Sequence, residues 1–201
     1  MSQVSCKGVR KVFGPQAEAL FQNTRDKSRI TAEGIASAGG LAAVQDINLE
    51  VAEGEILIIM SLSGSGKSTL LRCLCRLVAN PDVWLLDEPF SALDPPTRRE
   101  MQDKFVRLQR MLKKTIVFVT HDFDEAARVA DRICIMRDGR VIQTATVAEL
   151  ILSPADGYVQ RSTEKAVHVL AADGRPVGFQ DRGRFLEVLT NRRPAILAET
   201  V

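Results

Sequence analysis

Seven consecutive residues, Ser63-Gly64-Ser65-Gly66-Lys67-Ser68-Thr69, decide much of what this chain can become. They stand between an unbroken apolar run, Ile56 to Met60, and a segment that puts Leu70, Leu71, Leu74, Leu77 and Val78 at helical spacing. A short apolar run without alternation is the pattern of a strand buried on both faces, so the local unit is strand, glycine-rich loop, amphipathic helix. In such a unit the loop's backbone N–H groups and the positive helix N-terminus surround phosphate oxygens. Lys67 then reaches the outer phosphates, and the Ser68 hydroxyl is offered to Mg²⁺. An ordinary glycine-rich turn accounts for the glycines but not for the Lys-Ser-Thr that follows. The usual spacing, G-x-x-x-x-G-K-[ST], puts a glycine at position 61, where this chain has Ser61. A side chain there is expected to strain the turn and weaken binding.

The same alternation of elements continues downstream. Asn80-Pro81-Asp82 stops the helix, and Val83 to Leu86 is a second apolar strand ending in Asp87 and Glu88. A helix is expected from about Thr97 to Leu112, with Met101, Phe105, Leu108 and Leu112 on one face, then a strand over Thr115 to Val119 followed by His121. Phe123 to Ala130 reads as a short helix. Arg132 to Met136 and Val141 to Thr144 flank Asp138-Gly139, a hairpin signal. Thr146 with Glu149 forms a capping box for a further helix, which Ser153-Pro154 ends. Upstream, Val4 to Phe13 and the alternating Ile47, Leu49 and Val51 read as strands, separated by an insertion over 14–40 with some helix. Strands alternating with helices give an α/β fold with a parallel sheet, and ligands of such sheets bind at the C-terminal strand edge. Asp87 and Glu88 fall at that edge, placed to serve a Mg²⁺ shell and an attacking water, and His121 is placed to contact a γ-phosphate. A polar linker is expected at 161–164, followed by a separate small pattern with strands over Val167 to Leu170 and Val177 to Phe179 and a helix near Phe185 to Leu189. His168, inside an apolar strand of that tail, is read as structural.

Composition narrows the class of partner. Lys+Arg number 27 against Asp+Glu 25, a balance that speaks against nucleic acid as a partner. The longest apolar run is far shorter than the roughly 18 residues of a spanning helix, so a soluble chain without a secretory leader is expected. Cys6, Cys73, Cys75 and Cys134 fit neither a disulfide framework nor zinc-ligand spacing, which suits a reducing, cytosolic compartment.

The succession SGSGKST, LLDEPFSALD and VTHDFDEA resembles the ATP-binding subunits of ATP-binding cassette (ABC) transporters. The resemblance implies a P-loop NTPase of RecA-like ABC ATPase core, with ATP and Mg²⁺ as ligands and ATP hydrolysis as the activity. Carried over residue by residue, Ser63, Gly64, Ser65, Gly66, Lys67, Ser68 and Thr69 hold phosphates. Ser68 and Asp87 serve the metal, Glu88 and His121 are catalytic, Ser91-Ala92-Leu93-Asp94 matches the D-loop, and Phe13 takes the aromatic position that stacks on adenine. The 14–40 insertion, Ser153 to Val159 and the tail look like the importers of glycine betaine, proline and choline. Asp173 to Gly178 looks like part of a CBS domain, giving an ATPase unit over 1–160 and a partial CBS-like α+β fragment over 161–201. Such importers imply a transmembrane permease and a substrate-binding protein as partners, a homodimer or a pairing with a full-length ATPase subunit, and a place on the cytoplasmic face of the cell membrane.

Only nineteen residues separate Lys67 from Asp87, where the family places a Q-loop, a helical subdomain and the LSGGQ signature, none of which this chain contains. The join falls between Leu77-Val78 and Ala79-Asn80-Pro81. An internal deletion there implies a free edge along Val83 to Leu86 and slow hydrolysis at most. The alternative reading is a non-catalytic remnant or regulatory chain that binds nucleotide without turnover. A soluble ABC protein of DNA repair fits less well, given the near-neutral charge and the CBS-like tail.

Overall fold

The computed structural model describes residues 2–15, 30–164, 169–170 and 176–177. Strand β1 (Ser2–Phe13) pairs antiparallel with β2 (Leu41–Ala52), and the short helix α1 (Ala32–Ser37) lies between them in sequence. Along β2 the buried Ile47, Leu49 and Val51 alternate with exposed residues, as a strand with one wet face requires. Of the insertion expected over 14–40, residues 16–29 lie outside the described set.

Strand β3 (Ile56–Met60) is the middle of a five-stranded sheet, flanked in parallel by β5 (Thr115–Thr120) and β6 (Arg132–Arg137). Beyond β5 lies β4 (Val83–Asp87), also parallel; beyond β6 lies β7 (Arg140–Ala145), antiparallel, giving the order β4-β5-β3-β6-β7. The β6–β7 turn is made by Asp138 and Gly139 at φ 49° and 75°, the two positive values such a tight hairpin needs.

All five residues of β3 are buried, and they divide by pleat. Ile56, Ile58 and Met60 join one core with helices α4 (Phe123–Val129), α5 (Val147–Leu152) and α6 (Gly157–Glu164) through Phe123, Leu150 and Val159. Leu57 and Ile59 join the opposite core with α2 (Lys67–Leu77), through Leu70, Leu71 and Leu74, and with β2. The result is an α/β architecture, sheet between two layers.

Two expectations need correction. Residues 161–164 are the last turn of α6, not a linker; Asp156 Oδ1 accepts the N–H groups of Tyr158 and Val159 at 2.9 Å, starting the helix firmly. In α3 (Pro95–Leu112), only Phe105 of the anticipated apolar face is packed inward, edge-on to Phe90 and Phe118, while Met101, Leu108 and Leu112 are exposed. The side chains buried instead are Gln102 and Gln109. Specific hydrogen bonds explain this: Gln109 Nε2 donates to Gly54 O at 2.6 Å and Lys114 O at 3.0 Å, tying the helix to the ends of two strands. The capping box of Thr146 and Glu149 is present as expected. Of the tail, Val169–Leu170 (β8) pairs antiparallel with Pro176–Val177 (β9); the rest of the expected strands, the helix near 185–189 and the remainder of the CBS-like motif lie outside the described residues.

Strand β4 is one edge of the sheet, with Trp84, Leu85 and Leu86 half-buried, so among the described residues one row of its backbone groups has no strand partner. Such an edge templates association with another chain. The chain is predicted to sediment as increasing fractions of dimer and larger species as concentration rises, and Leu85→Lys to shift it toward monomer. Concentration-independent monomer sedimentation of the unsubstituted chain would count against a reactive edge.

Candidate nucleotide-phosphate site

Strands β3, β4 and β5 run parallel and end on one side of the sheet, so the residues following them meet there. After Met60 the chain makes the loop 61–66 and enters α2 at Lys67, with Gly66 at the helix N-cap. Gly66 has φ +94°, and a Cβ on it would lie 2.2 Å from the Ala43 carbonyl oxygen of β2. No other residue fits that contact, which is why the loop has glycine here. Around Gly64 the space is open, with no atom within 4 Å of an added Cβ.

The loop is folded onto its own lysine. Lys67 Nζ donates to the carbonyl oxygens of Ser61 at 2.9 Å and Leu62 at 3.1 Å. Burial holds its pKa below the usual lysine value, while the charges of Glu88 and Asp87 pull it back up. Ser61 is only 2% exposed and is absent from the residues at positive φ, so the anticipated strain is not there. Its hydroxyl instead contacts the Ser65 hydroxyl, and Ser65 Oγ donates to Leu62 O at 2.9 Å. A serine suits this position because its backbone is ordinary and its hydroxyl has a partner.

Around the loop the acidic and basic groups converge. Ser68 Oγ donates to Asp87 Oδ1 at 3.3 Å, placing two hard oxygen donors side by side at the helix N-terminus. Glu88 adopts φ +44°, with its N–H bonded to Val119 O at 2.9 Å, and its Oε1 lies 3.1 Å from His121 Nδ1. A left-handed glutamate costs on the order of 1–3 kcal/mol and persists only where its surroundings enforce it. His121 stands on a shelf: Thr120 Oγ1 contacts the buried Glu125 carboxylate, receives the Asp122 N–H at 3.1 Å, and Gln102 Nε2 donates to Glu125 Oε1 at 3.4 Å. Burial raises the Glu125 pKa, and the bonds from Thr120 and Gln102 oppose that rise.

Lys67, Ser68, Asp87, Glu88 and His121 are thus brought together at one end of the sheet. Ser63 is exposed on the loop and Thr69 follows in the first turn of α2. Phe13 is 47% exposed at the end of β1, paired with Leu41, two residues from Ala43, and Lys11 Nζ lies 5.2 Å from its ring. Asp94 is held elsewhere: its carboxylate caps α3, accepting the Thr97 N–H at 3.2 Å, a bond that also lowers its pKa. Sequence reasoning missed three supports of the loop. Ala43 lies under Gly66; Gly139 N–H donates to Ser65 O at 3.0 Å; and Leu62 N–H donates to the Tyr158 hydroxyl at 3.3 Å. The hairpin signal found Gly139, but nothing local says that its turn touches a loop 74 positions away.

With this geometry in hand, the comparisons with known proteins agree. The trimethylamine N-oxide transport system ATP-binding protein of Ruegeria pomeroyi is 33% identical over 264 residues, covering 81% of this chain and 77% of that one. The chain belongs to the ATP-binding subunits of ABC transporters. By that resemblance it is an ABC-type ATP hydrolase. The ABC transporter family profile matches residues 44–80. Of the 264 aligned positions, 81% of 201 residues fills about 163, leaving about 100 positions of the relative without a counterpart. The glycine betaine/carnitine/choline transport ATP-binding protein of Bacillus subtilis is 50% identical over 99 residues, 49% of this chain and 26% of that one, a match with almost no gap. Among solved structures, an ATP-binding cassette in a dimeric post-hydrolysis state with ADP and Pi matches at TM-score 0.54 and 17% identity, over 73% of this chain and 98% of that one.

Two outcomes follow from the site's construction. Gly66→Ala cannot keep both its φ and its distance from Ala43, so a loss of at least about 2 kcal/mol in unfolding free energy is expected in denaturant melts. The folded state favours protonated Glu125, so that contribution is full below the ordinary glutamate value of 4.5 and is lost as pH rises through the higher folded value. Between pH 4.5 and neutrality the thermal midpoint of Glu125→Gln, which has no proton to lose, should therefore fall less than that of the unsubstituted chain; parallel profiles would refute this.

Proposed function

We propose that the chain binds Mg-ATP at this site as the nucleotide-binding subunit of an importer for small methylated-ammonium or amine-oxide osmolytes. The observation that carries the reading is the convergence of Lys67, Ser68, Asp87, Glu88 and His121 on one end of the sheet beside an open loop. The residues fit their ligands. Gly64 and Gly66 leave backbone N–H groups free of side-chain cover, and Ser68 with Asp87 offers the hard oxygens Mg²⁺ prefers. Among the described residues no three acidic, His or Cys side chains cluster, and Ser68 with Asp87 would be this chain's own donors to a cation here. Bound Mg²⁺ neutralises charge on the phosphates.

In this reading Ser63 to Thr69 cradle the phosphates, with Lys67 leaving the Ser61 and Leu62 carbonyls to reach the outer oxygens. Glu88 orients the attacking water, His121 contacts the γ-phosphate, Phe13 stacks on adenine and Asp94 belongs to the D-loop. The nucleotide-binding unit takes in 1–160 with its 14–40 insertion, and the CBS-like fragment 161–201 begins within the last turn of α6. The relatives' names supply the substrate class, since trimethylamine N-oxide, glycine betaine, carnitine and choline share a methylated nitrogen. A permease and a substrate-binding protein then carry the solute, and the subunit sits on the cytoplasmic face, paired with a second copy or with a full-length ATPase subunit. No helix among the described residues is long and apolar enough to cross a membrane.

One observation favours a second reading, nucleotide binding without turnover. Only nineteen residues separate Lys67 from Asp87, where the family carries its signature and Q-loop, and about 100 positions of the relative have no counterpart in this chain.

Thermal unfolding with and without Mg-ATP tests the first step. Ligand at 100 times its Kd stabilises by about 2.7 kcal/mol, and Lys67→Ala should abolish the shift. A shift of equal size in Lys67→Ala would overturn the assignment. Phosphate release then separates the two readings: turnover removed by Glu88→Gln supports the first, binding without turnover the second.

A further inference from the structure

We infer that Tyr158 is a positioning residue for the phosphate loop, through which helix α6 sets the place of Leu62 and hence of Lys67. The inference rests on the nucleotide reading for its functional consequence, though not for its structural one.

The phenol of Tyr158 makes two bonds with different partners. It donates to Met136 O of β6 at 3.2 Å and accepts the Leu62 N–H at 3.3 Å. A phenol has one proton, so donation to Met136 leaves a lone pair for Leu62 and fixes the direction of both bonds. The hydroxyl therefore ties the start of the loop to the strand beside β3.

Leu62 is a consequential place to be tied. Its carbonyl oxygen receives both Lys67 Nζ, at 3.1 Å, and Ser65 Oγ, at 2.9 Å. Its own side chain is 62% exposed, so apolar burial does little to hold it. The peptide on its N-terminal side supplies the second carbonyl on Lys67, that of Ser61. A shift of the Leu62 N–H moves that peptide too, so the lysine cage and the Tyr158 bond move together.

The other end of the tie is firm. Val159 is fully buried in the core of α4, α5 and α6, Asp156 caps the first turn of α6, and the Arg137 guanidinium lies 5.2 Å from the Tyr158 ring centroid. The chain runs from α6 directly into residues 165–201. A tilt of α6 therefore reaches the phosphate loop through the Tyr158 hydroxyl as well as through the core that Val159 shares with Met60.

The test compares the full chain with Tyr158→Phe, which keeps the ring and removes the hydroxyl, and with Val159→Ala, which loosens the same helix and leaves the hydroxyl. In nucleotide-free protein, amide hydrogen exchange at 61–66 should speed up roughly three- to tenfold in Tyr158→Phe, about the effect of one modest hydrogen bond. Mg-ATP affinity should fall by a similar factor. Val159→Ala should lower the thermal midpoint more and change neither quantity under native conditions. Unchanged exchange at 61–66 in Tyr158→Phe, or equal acceleration in Val159→Ala, overturns the inference. Faster loop exchange in a chain that binds no Mg-ATP supports the brace and removes the nucleotide reading, so the two stand or fall separately.

Discussion

Burial of β3 on both faces is the constraint from which the rest follows. Five consecutive apolar residues with no wet side need a parallel neighbour on each edge and a helical or strand layer on each face; β5 and β6 supply the edges, α2 with β2 one face, and α4, α5 and α6 the other. Once β3 is central, its C-terminal end is fixed in space, and so is the loop that leaves it. The adjoining strands β4 and β5 end on the same side, which is how Asp87, Glu88 and His121 arrive beside Lys67 without any contact between them being specified locally. Position here is a consequence of topology, and chemistry of sequence.

The site rests in a state of mutual satisfaction. Lys67 is held by two carbonyls, Glu88 by His121, and Ser68 by Asp87. Each of these bonds occupies a group that a phosphate or a cation would claim. Binding therefore exchanges one set of charge-assisted contacts for another, so affinity depends on how little the backbone must move during the exchange. The close contact of Gly66 with Ala43, the Gly139 bond to Ser65 and the Tyr158 bond to Leu62 bear on that movement, because they hold backbone while the side chains change partners.

Much of this was legible in the chain itself. The apolar run, the glycine-rich loop, the amphipathic helix and the Asp138-Gly139 turn each carry a local signature, and each element lies where that signature put it. What escaped was of two kinds. Gln102 and Gln109 are polar residues buried by particular long-range hydrogen bonds, which hydrophobic periodicity reads as solvent-facing. Ser61 was expected to suffer because the common pattern has glycine there, yet its backbone dihedral is ordinary and its hydroxyl finds Ser65. The long-range contacts of Ala43, Gly139 and Tyr158 with the loop left no trace in local spacing at all. Periodicity reports burial of apolar faces; it is silent on which backbone groups a distant turn or phenol will meet.

The missing segment divides what the fold can keep from what it loses. The crossover from Lys67 to Val83 closes because α2 spans Lys67–Leu77 and a parallel connection needs roughly a dozen residues. The two cores close because both faces of β3 and β5 are still covered. The cluster at Lys67 closes with them, since the groups that meet it lie on β3, β4, β5 and α2 or follow them directly. What does not close is one edge of the sheet: β4 carries Asp87 to the site while its other side, with half-buried Trp84 and Leu86, has no neighbouring strand among the described residues. The residue proposed to serve the metal thus hangs on an edge strand of the sheet. Whatever pairs with that edge will also stiffen Asp87 against Ser68, so association and the geometry of the cation site are coupled through five residues of backbone.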